Sequence, residues 1–175
     1  MGWVSQFDWA VAFLRVVTGI TVAAHGYNKI FQGGRLAGTA GWLDSIGMRP
    51  GWLHARLVAF TELGAGLLLA IGLLTTLAAA GIIGVMSVAV WTVHRKNGFF
   101  NTTSGWEYNL VLASIALTLA VTGAGQISID GAITGGFGLL NGGIGLLIAL
   151  VLGIGGAAAH IAVFYRPGST AASSS

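Results

Sequence analysis

Residues 7–30 read FDWAVAFLRVVTGITVAAHGYNKI, an apolar run long enough to cross a bilayer that nevertheless carries Arg15, His25 and Lys29. At about 100° per residue, Arg15, Thr18, Gly19, Val22, Gly26 and Lys29 fall on one stripe of a helix, with His25 on its flank. A charged side chain near the bilayer centre costs on the order of 2.5–3.5 kcal/mol on insertion scales. The stripe must therefore face protein, and Arg15 requires partners elsewhere in the chain.

The surrounding composition agrees with a membrane solvent. Only 7% of the 175 residues are charged, against roughly 25% in soluble domains, and the mean hydropathy is +0.83. The apolar runs use up most of the length, so no separate soluble domain is expected. The absence of cysteine excludes disulfides, thiolate metal sites and any thiol redox step carried by this chain. Basic residues form no patch beyond Arg95 and Lys96, which argues against nucleic acid as a partner. No Lys or Arg precedes the first apolar run and that run continues past Arg15, so it reads as a retained helix and not as a cleavable signal.

Five runs approach the roughly 20 residues a bilayer requires: Phe7 to Ile30, Leu53 to Leu74, Leu77 to Val93, Tyr108 to Thr122 and Phe137 to Tyr165. Between the first two, Leu36, Ala40, Leu43 and Ile46 recur at helical spacing with Trp42 beside them, until Pro50 and Gly51 break the run. This reads as a short helix lying in the membrane interface. Thr75 and Thr76 alone separate the second and third runs, which predicts a tight antiparallel hairpin. The expected fold is an all-α membrane protein. A four-helix domain over residues 1–130 is followed by an additional C-terminal transmembrane helix over 131–165 and a disordered, low-complexity tail over 166–175.

Lys29, Arg35, Arg49 and Arg56 surround the first loop, Arg95 and Lys96 the third, and Arg166 follows the fifth helix, whereas the opposite face offers Asp8 and Asp130. The positive-inside rule then places the N-terminus outside and the C-terminus in the cytoplasm. On the last helix Asn141, Gly145, Ala149, Gly153, Ala157 and His160 share one stripe. Small residues at every fourth position permit close helix approach, either inside the bundle or against another subunit or membrane partner through Gly145, Ala149, Gly153 and Ala157.

Depth along the helices suggests partners for the charges. Arg15 lies roughly 12 Å from the outer end of its run and Glu62 roughly 14 Å from the inner end of the second, levels that nearly meet in a core of about 30 Å. An Arg15–Glu62 ion pair is the expected result. Nearer the cytoplasmic side His25, Lys29, His94 and Glu107 converge, with Trp91 on the same face of its helix as His94. His25, Lys29, Glu62, His94 and Glu107 are thus candidate proton-handling or catalytic residues, and Arg15, His25, His94 and Trp91 candidate cofactor contacts. For each, a structural role in fixing helix register or bonding to loops stands beside the functional one. Bis-histidine haem ligation by His25 and His94 is chemically conceivable but unsupported by spacing. A metal site from His25, Glu62, His94 and Glu107 lacks the Glu-x-x-His spacing of carboxylate-bridged centres. His54 and His160 read as packing or interfacial residues.

The succession RVVTGITVAAHGYNKIFQGG, FTELGAGLLLAIGLLTTLAAAG, VHRKNGFF and WEYNLVLASIALTLAVTGAGQISID resembles the DoxX family of small bacterial membrane proteins from about Ala12 to Asp130. The positions that carry the resemblance are Arg15, Gly19, His25, Gly26, Lys29, Glu62, Gly66, Gly72, His94, Gly98, Phe99, Phe100, Glu107 and Asp130. The resemblance implies a link to redox chemistry with quinone as electron acceptor, because relatives are tied to sulfur oxidation and thiol stress. On that basis the chain reads as a redox-associated membrane subunit, with quinone as the cofactor that fits. The alternative is a non-enzymatic assembly or anchoring subunit, and a transporter is disfavoured by the lack of an inverted repeat or broken helix pair. The fifth helix exceeds the family's four-helix pattern.

Overall fold

A computed structural model describes residues 4–134 and 140–167. The chain is a helical bundle of α1 (Gln6–Phe31), α2 (Arg35–Ser45), α3 (Gly51–Ile71), α4 (Thr75–Ala89), α5 (Glu107–Thr122), α6 (Ile129–Thr134), α7 (Gly142–Ile148) and α8 (Gly156–Phe164). A π-helical turn over Val90–His94 prolongs α4, and a π-helical stretch over Ala149–Gly155 joins α7 to α8 into one continuous helix. Four helices are long and apolar enough to span a bilayer, namely Gln6–Phe31, Gly51–Ile71, Thr75–Asn97 and Gly142–Phe164, and α5 is a shorter apolar helix. The start of the fifth run, expected at Phe137, and the tail beyond Pro167 lie outside the described residues.

Helix α1 begins where Ser5 and Asp8 form a reciprocal capping box, satisfying two of the amide groups that a helix N-terminus leaves open. Its buried stripe packs antiparallel on α3. A Cβ on Gly19 would meet the Gly66 carbonyl at 2.5 Å, and one on Gly26 would meet the Ala59 carbonyl at 2.6 Å. Backbones this close leave no room for a side chain, which is the close approach that small residues permit in membrane bundles. These contacts set the register: Gly19 is level with Gly66 and Ala70, and Gly26 with Ala59 and Leu63.

That register separates Arg15 from Glu62. Glu62 lies level with the His25–Gly26 segment, roughly 15 Å along the bundle from Arg15, and the expected Arg15–Glu62 pair does not form. The expectation placed both helices flush with a core of uniform thickness. In fact α1 has 26 residues, about 39 Å, and α3 starts well beyond the level where α1 ends. Arg15 instead closes the C-terminus of α3. Its guanidinium donates to the carbonyls of Leu69 (3.1 Å), Ala70 (2.8 Å) and Ile127, and the side chain is 2% exposed. The last carbonyls of a helix lack intrahelical donors and carry its negative dipole end, so a buried cation is well placed there.

The α3–α4 hairpin turns through Gly72 and Leu74 in the left-handed region, at φ +69° and +51°, with Gly72 supplying the αL cap. Thr75 and Thr76, expected in the connection, open α4. Asp130 of α6 accepts from the amides of Leu74 and Thr75, both at 2.9 Å, and so caps α4 from a distant part of the chain. Asp8 accepts from the Gln126 amide at 2.8 Å. The acidic residues of this end are therefore engaged as helix and loop caps.

Helix α4 is central. Ala78, Ala79, Ile82, Ile83 and Met86 join Leu69, Leu112, Ala116, Leu119 and Ala149 in the main core. The small-residue stripe of the last helix is spent inside the bundle. Gly145 abuts the Ala120 carbonyl of α5, Gly153 abuts Ile83 of α4, and Ala149 and Ala157 are buried. An association surface made of these four residues is therefore already occupied. The end of the last helix is tied to the α2–α3 loop by Arg166 N to Gly47 O (2.7 Å) and Arg49 N to Phe164 O (3.4 Å). Helix α2 lies across the same end with Leu43 buried and Trp42 exposed, as an interfacial helix requires.

Candidate functional site

At the basic end of the bundle, α1, α3, α4, α5 and α8 surround a cavity of about 670 Å³. Its polar groups stand among apolar walls such as Val22, Leu57, Val85 and Leu112. The Lys29 ammonium donates to Glu62 Oε2 at 2.6 Å, with the two side chains 27% and 6% exposed. The register explains the pairing. Lys29 sits about one turn beyond Glu62 toward the basic end, and its flexible stem carries the charge back to the carboxylate. A buried carboxylate is tolerable here because the half-buried ammonium neutralises it and the bond is charge-assisted.

One turn along α1, His25 Nε2 meets the Tyr108 hydroxyl at 3.2 Å, and the two rings lie 6.0 Å apart. His25, Lys29, Glu62, His94 and Tyr108 all line the cavity. His94 ends the π-helical turn Val90–His94, a distortion frequent at functional sites. Its Nδ1 lies 2.7 Å from the Ser104 carbonyl, which can only accept, so Nδ1 carries a proton and donates. Asn109 donates to Met86 Sδ at 3.4 Å deeper in the wall.

The remaining candidates lie elsewhere. Arg15 serves the opposite end of the bundle, at the C-terminus of α3. Glu107 accepts from the Asn101 amide at 3.0 Å while its own amide donates to the Phe99 carbonyl at 2.9 Å, so it organises the loop between α4 and α5. Trp91 is exposed and stacks beneath Arg95, whose guanidinium carbon is 4.1 Å from the ring centroid, a cation–π contact at the membrane edge. His25 and His94 thus have separate partners. Among the described residues no three His, Asp or Glu side chains gather as metal ligands.

Tyr108, Asn109, His54 and His160 belong to the cavity although the sequence does not mark them as site residues. Tyr108 directly follows Glu107, and a helix turns neighbouring residues about 100° apart, so the charged residue draws attention while its neighbour faces the cavity. His160 has a usable signal, because it continues the stripe of small residues that faces α4.

Residues 10–95 match the DoxX family. The chain is also 35% identical over 127 residues to the "Putative oxidoreductase CatD" of Bacillus subtilis (strain 168), a match covering 71% of this chain and 87% of that protein. No solved structure matches the chain. The family match spans α1 to α4 with the Gly19–Gly66 contact, the buried Lys29–Glu62 pair and His94. The chain belongs to the DoxX family of multi-pass membrane proteins.

Proposed function

We propose that this protein is a redox-associated subunit of the bacterial plasma membrane whose cavity receives a quinone headgroup. The observation that carries the reading is the Lys29–Glu62 pair, with His25 and Tyr108 beside it, set in the wall of a largely apolar cavity of about 670 Å³. Such a combination of apolar volume and a few convergent polar groups is what a small-molecule site requires. The relative named as an oxidoreductase supports a redox setting.

A quinone, when bound, accepts electrons and protons at its two oxygens. The protein's residues would do the rest. Lys29, His25 and the Tyr108 hydroxyl donate hydrogen bonds toward an oxygen, and Glu62 holds or passes a proton at its carboxylate. With no cysteine in the chain, any thiol that supplies electrons belongs to a substrate or partner. The basic residues around the cavity end support a cytoplasmic location for that end, with Gln6 outside.

Purification in mild detergent tests the reading. Quinone recovered at near-stoichiometric yield by mass spectrometry, and lost from Glu62→Gln, is the expected result. A stoichiometric protein partner without quinone would overturn it in favour of an anchoring subunit. For orientation, a membrane-impermeant thiol reagent should label Gln6→Cys and not Thr102→Cys in intact cells; the reverse pattern would invert the topology.

A further inference from the structure

His54 and His160 line the cavity and have no role in the reading above. His54 is 3% exposed, and neither of its ring nitrogens has a hydrogen-bond partner among the described residues. A neutral imidazole offers one donor and one acceptor. Buried polar groups of native proteins are nearly always paired, so a histidine this deep with both nitrogens open asks for a partner beyond the described residues, and its place in the cavity wall points to a ligand.

Packing holds the ring ready. His160 meets His54 edge-on, with ring centroids 4.8 Å apart and planes at 89°, and Phe164 packs on the same ring at 4.9 Å. Two imidazoles from α3 and α8 therefore face one space. A tightly bound zinc would need further ligands, and among the described residues no third His, Asp or Glu joins them. A hydrogen-bonding organic ligand needs nothing more than one donor or acceptor from the pair.

The spacing to the charged pair indicates which ligand. Along α3, His54 precedes Glu62 by eight residues, about 12 Å of helix axis. A para-quinone carrying a hydrogen bond of about 2.8 Å at each oxygen reaches roughly 11 Å. Resting on the quinone reading, we propose that His54 and His160 form a second hydrogen-bonding pole. It holds the far oxygen of a para-quinone or para-quinol whose near oxygen lies at Lys29 and Glu62. The ligand class is then an aromatic ring with oxygens at opposite ends. His160 lies beyond the family match at residues 10–95, so this pole is supplied in part by the additional helix.

The test compares tetramethylhydroquinone with tetramethylphenol, which lacks one hydroxyl, by anaerobic equilibrium dialysis against the full-length protein in detergent. Wild type is expected to bind the hydroquinone about five- to tenfold more tightly, the worth of one further hydrogen bond in a buried site. His160→Phe, which keeps an aromatic edge against Phe164, and His54→Leu should each lower that ratio towards one. Glu62→Gln should weaken both probes. If Glu62→Gln weakens binding while both histidine variants keep the wild-type ratio, the second pole is refuted and the quinone reading stands. If wild type binds neither probe, the quinone reading fails and takes the pole with it.

Discussion

Removing Lys29 should destabilise the protein far more than removing Lys29 and Glu62 together. The Glu62 side chain is 6% exposed and its paired oxygen is 2.6 Å from the ammonium. Lys29→Met leaves that carboxylate in an apolar wall with no counter-charge, and losing one partner of a buried pair costs about 3–5 kcal/mol. Glu62→Met leaves an ammonium on a side chain that is 27% exposed and can turn back towards water, so its cost is smaller, about 1–2 kcal/mol. The Lys29→Met/Glu62→Met double variant replaces the pair by apolar groups of similar length and should fall within about 1 kcal/mol of wild type. The resulting coupling is at least about 3 kcal/mol, readable from unfolding in mixed detergent micelles followed by tryptophan fluorescence. The Arg15→Met/Glu62→Gln cycle provides the control, because groups roughly 15 Å apart should be additive within about 0.5 kcal/mol. Additive Lys29 and Glu62 effects combined with a coupled Arg15 and Glu62 would refute the register of α1 on α3.

Arg15→Met strips donors from the carbonyls of Leu69, Ala70 and Ile127 and should cost about 3 kcal/mol or more in the same unfolding assay; Arg15→Lys should recover part of this, having no planar fork to span three acceptors. Gly26→Val would force a side chain to within 2.6 Å of the Ala59 carbonyl, so a loss of at least about 2 kcal/mol is expected, whereas Gly64→Ala, where nothing lies within 4 Å of the added atom, should be neutral or slightly stabilising. Asp130→Ala removes both acceptors at the start of α4 and should lower stability by about 1 kcal/mol without changing hydroquinone affinity.

The all-helical membrane architecture, the interfacial helix and the antiparallel α3–α4 hairpin are legible in the sequence, because each rests on local signals of apolar length, helical spacing, a break at Pro50 and a short join before α4, whereas α5 is shorter than the other four spans. The site is legible in part. Residues His25, Lys29, Glu62 and His94 do share one cavity, since depth along a helix is a one-dimensional quantity that sequence can supply. Which charge meets which is a matter of register, and register here is set by backbone contact at Gly19, Gly26 and Gly66. Nothing in the spacing of the charges reports a glycine contact between two helices. An axial error of a few turns moves Glu62 from Lys29 to Arg15. Glu107 and Trp91 lie outside the cavity lining for a rotational reason: both lie at or beside an irregular segment, where a fixed angle per residue no longer tells which way a side chain points.

The last helix, outside the family match at residues 10–95, changes what the matched helices can do. Helices α1, α3 and α4 supply the Lys29–Glu62 pair, His25 and His94. Yet the cavity also has Leu152, Gly156, Ala157 and His160 in its wall, all from the last helix. That helix is held by two independent devices. Its small stripe admits α4 at Gly84 and Ile83, and its end is bonded to Gly47 and Arg49 in the loop before α3. If the wall is required for binding, weakening the stripe should impair the site without touching a polar residue. Gly153→Ile would set its first side-chain carbon 2.9 Å from Ile83 Cβ, well inside van der Waals contact, and the rest of the branched side chain would push the helix outward. Hydroquinone affinity should then fall by at least about tenfold while the Lys29–Glu62 coupling persists, since that pair depends on α1 and α3 alone. Unchanged affinity would mean that the shared helices hold the ligand by themselves.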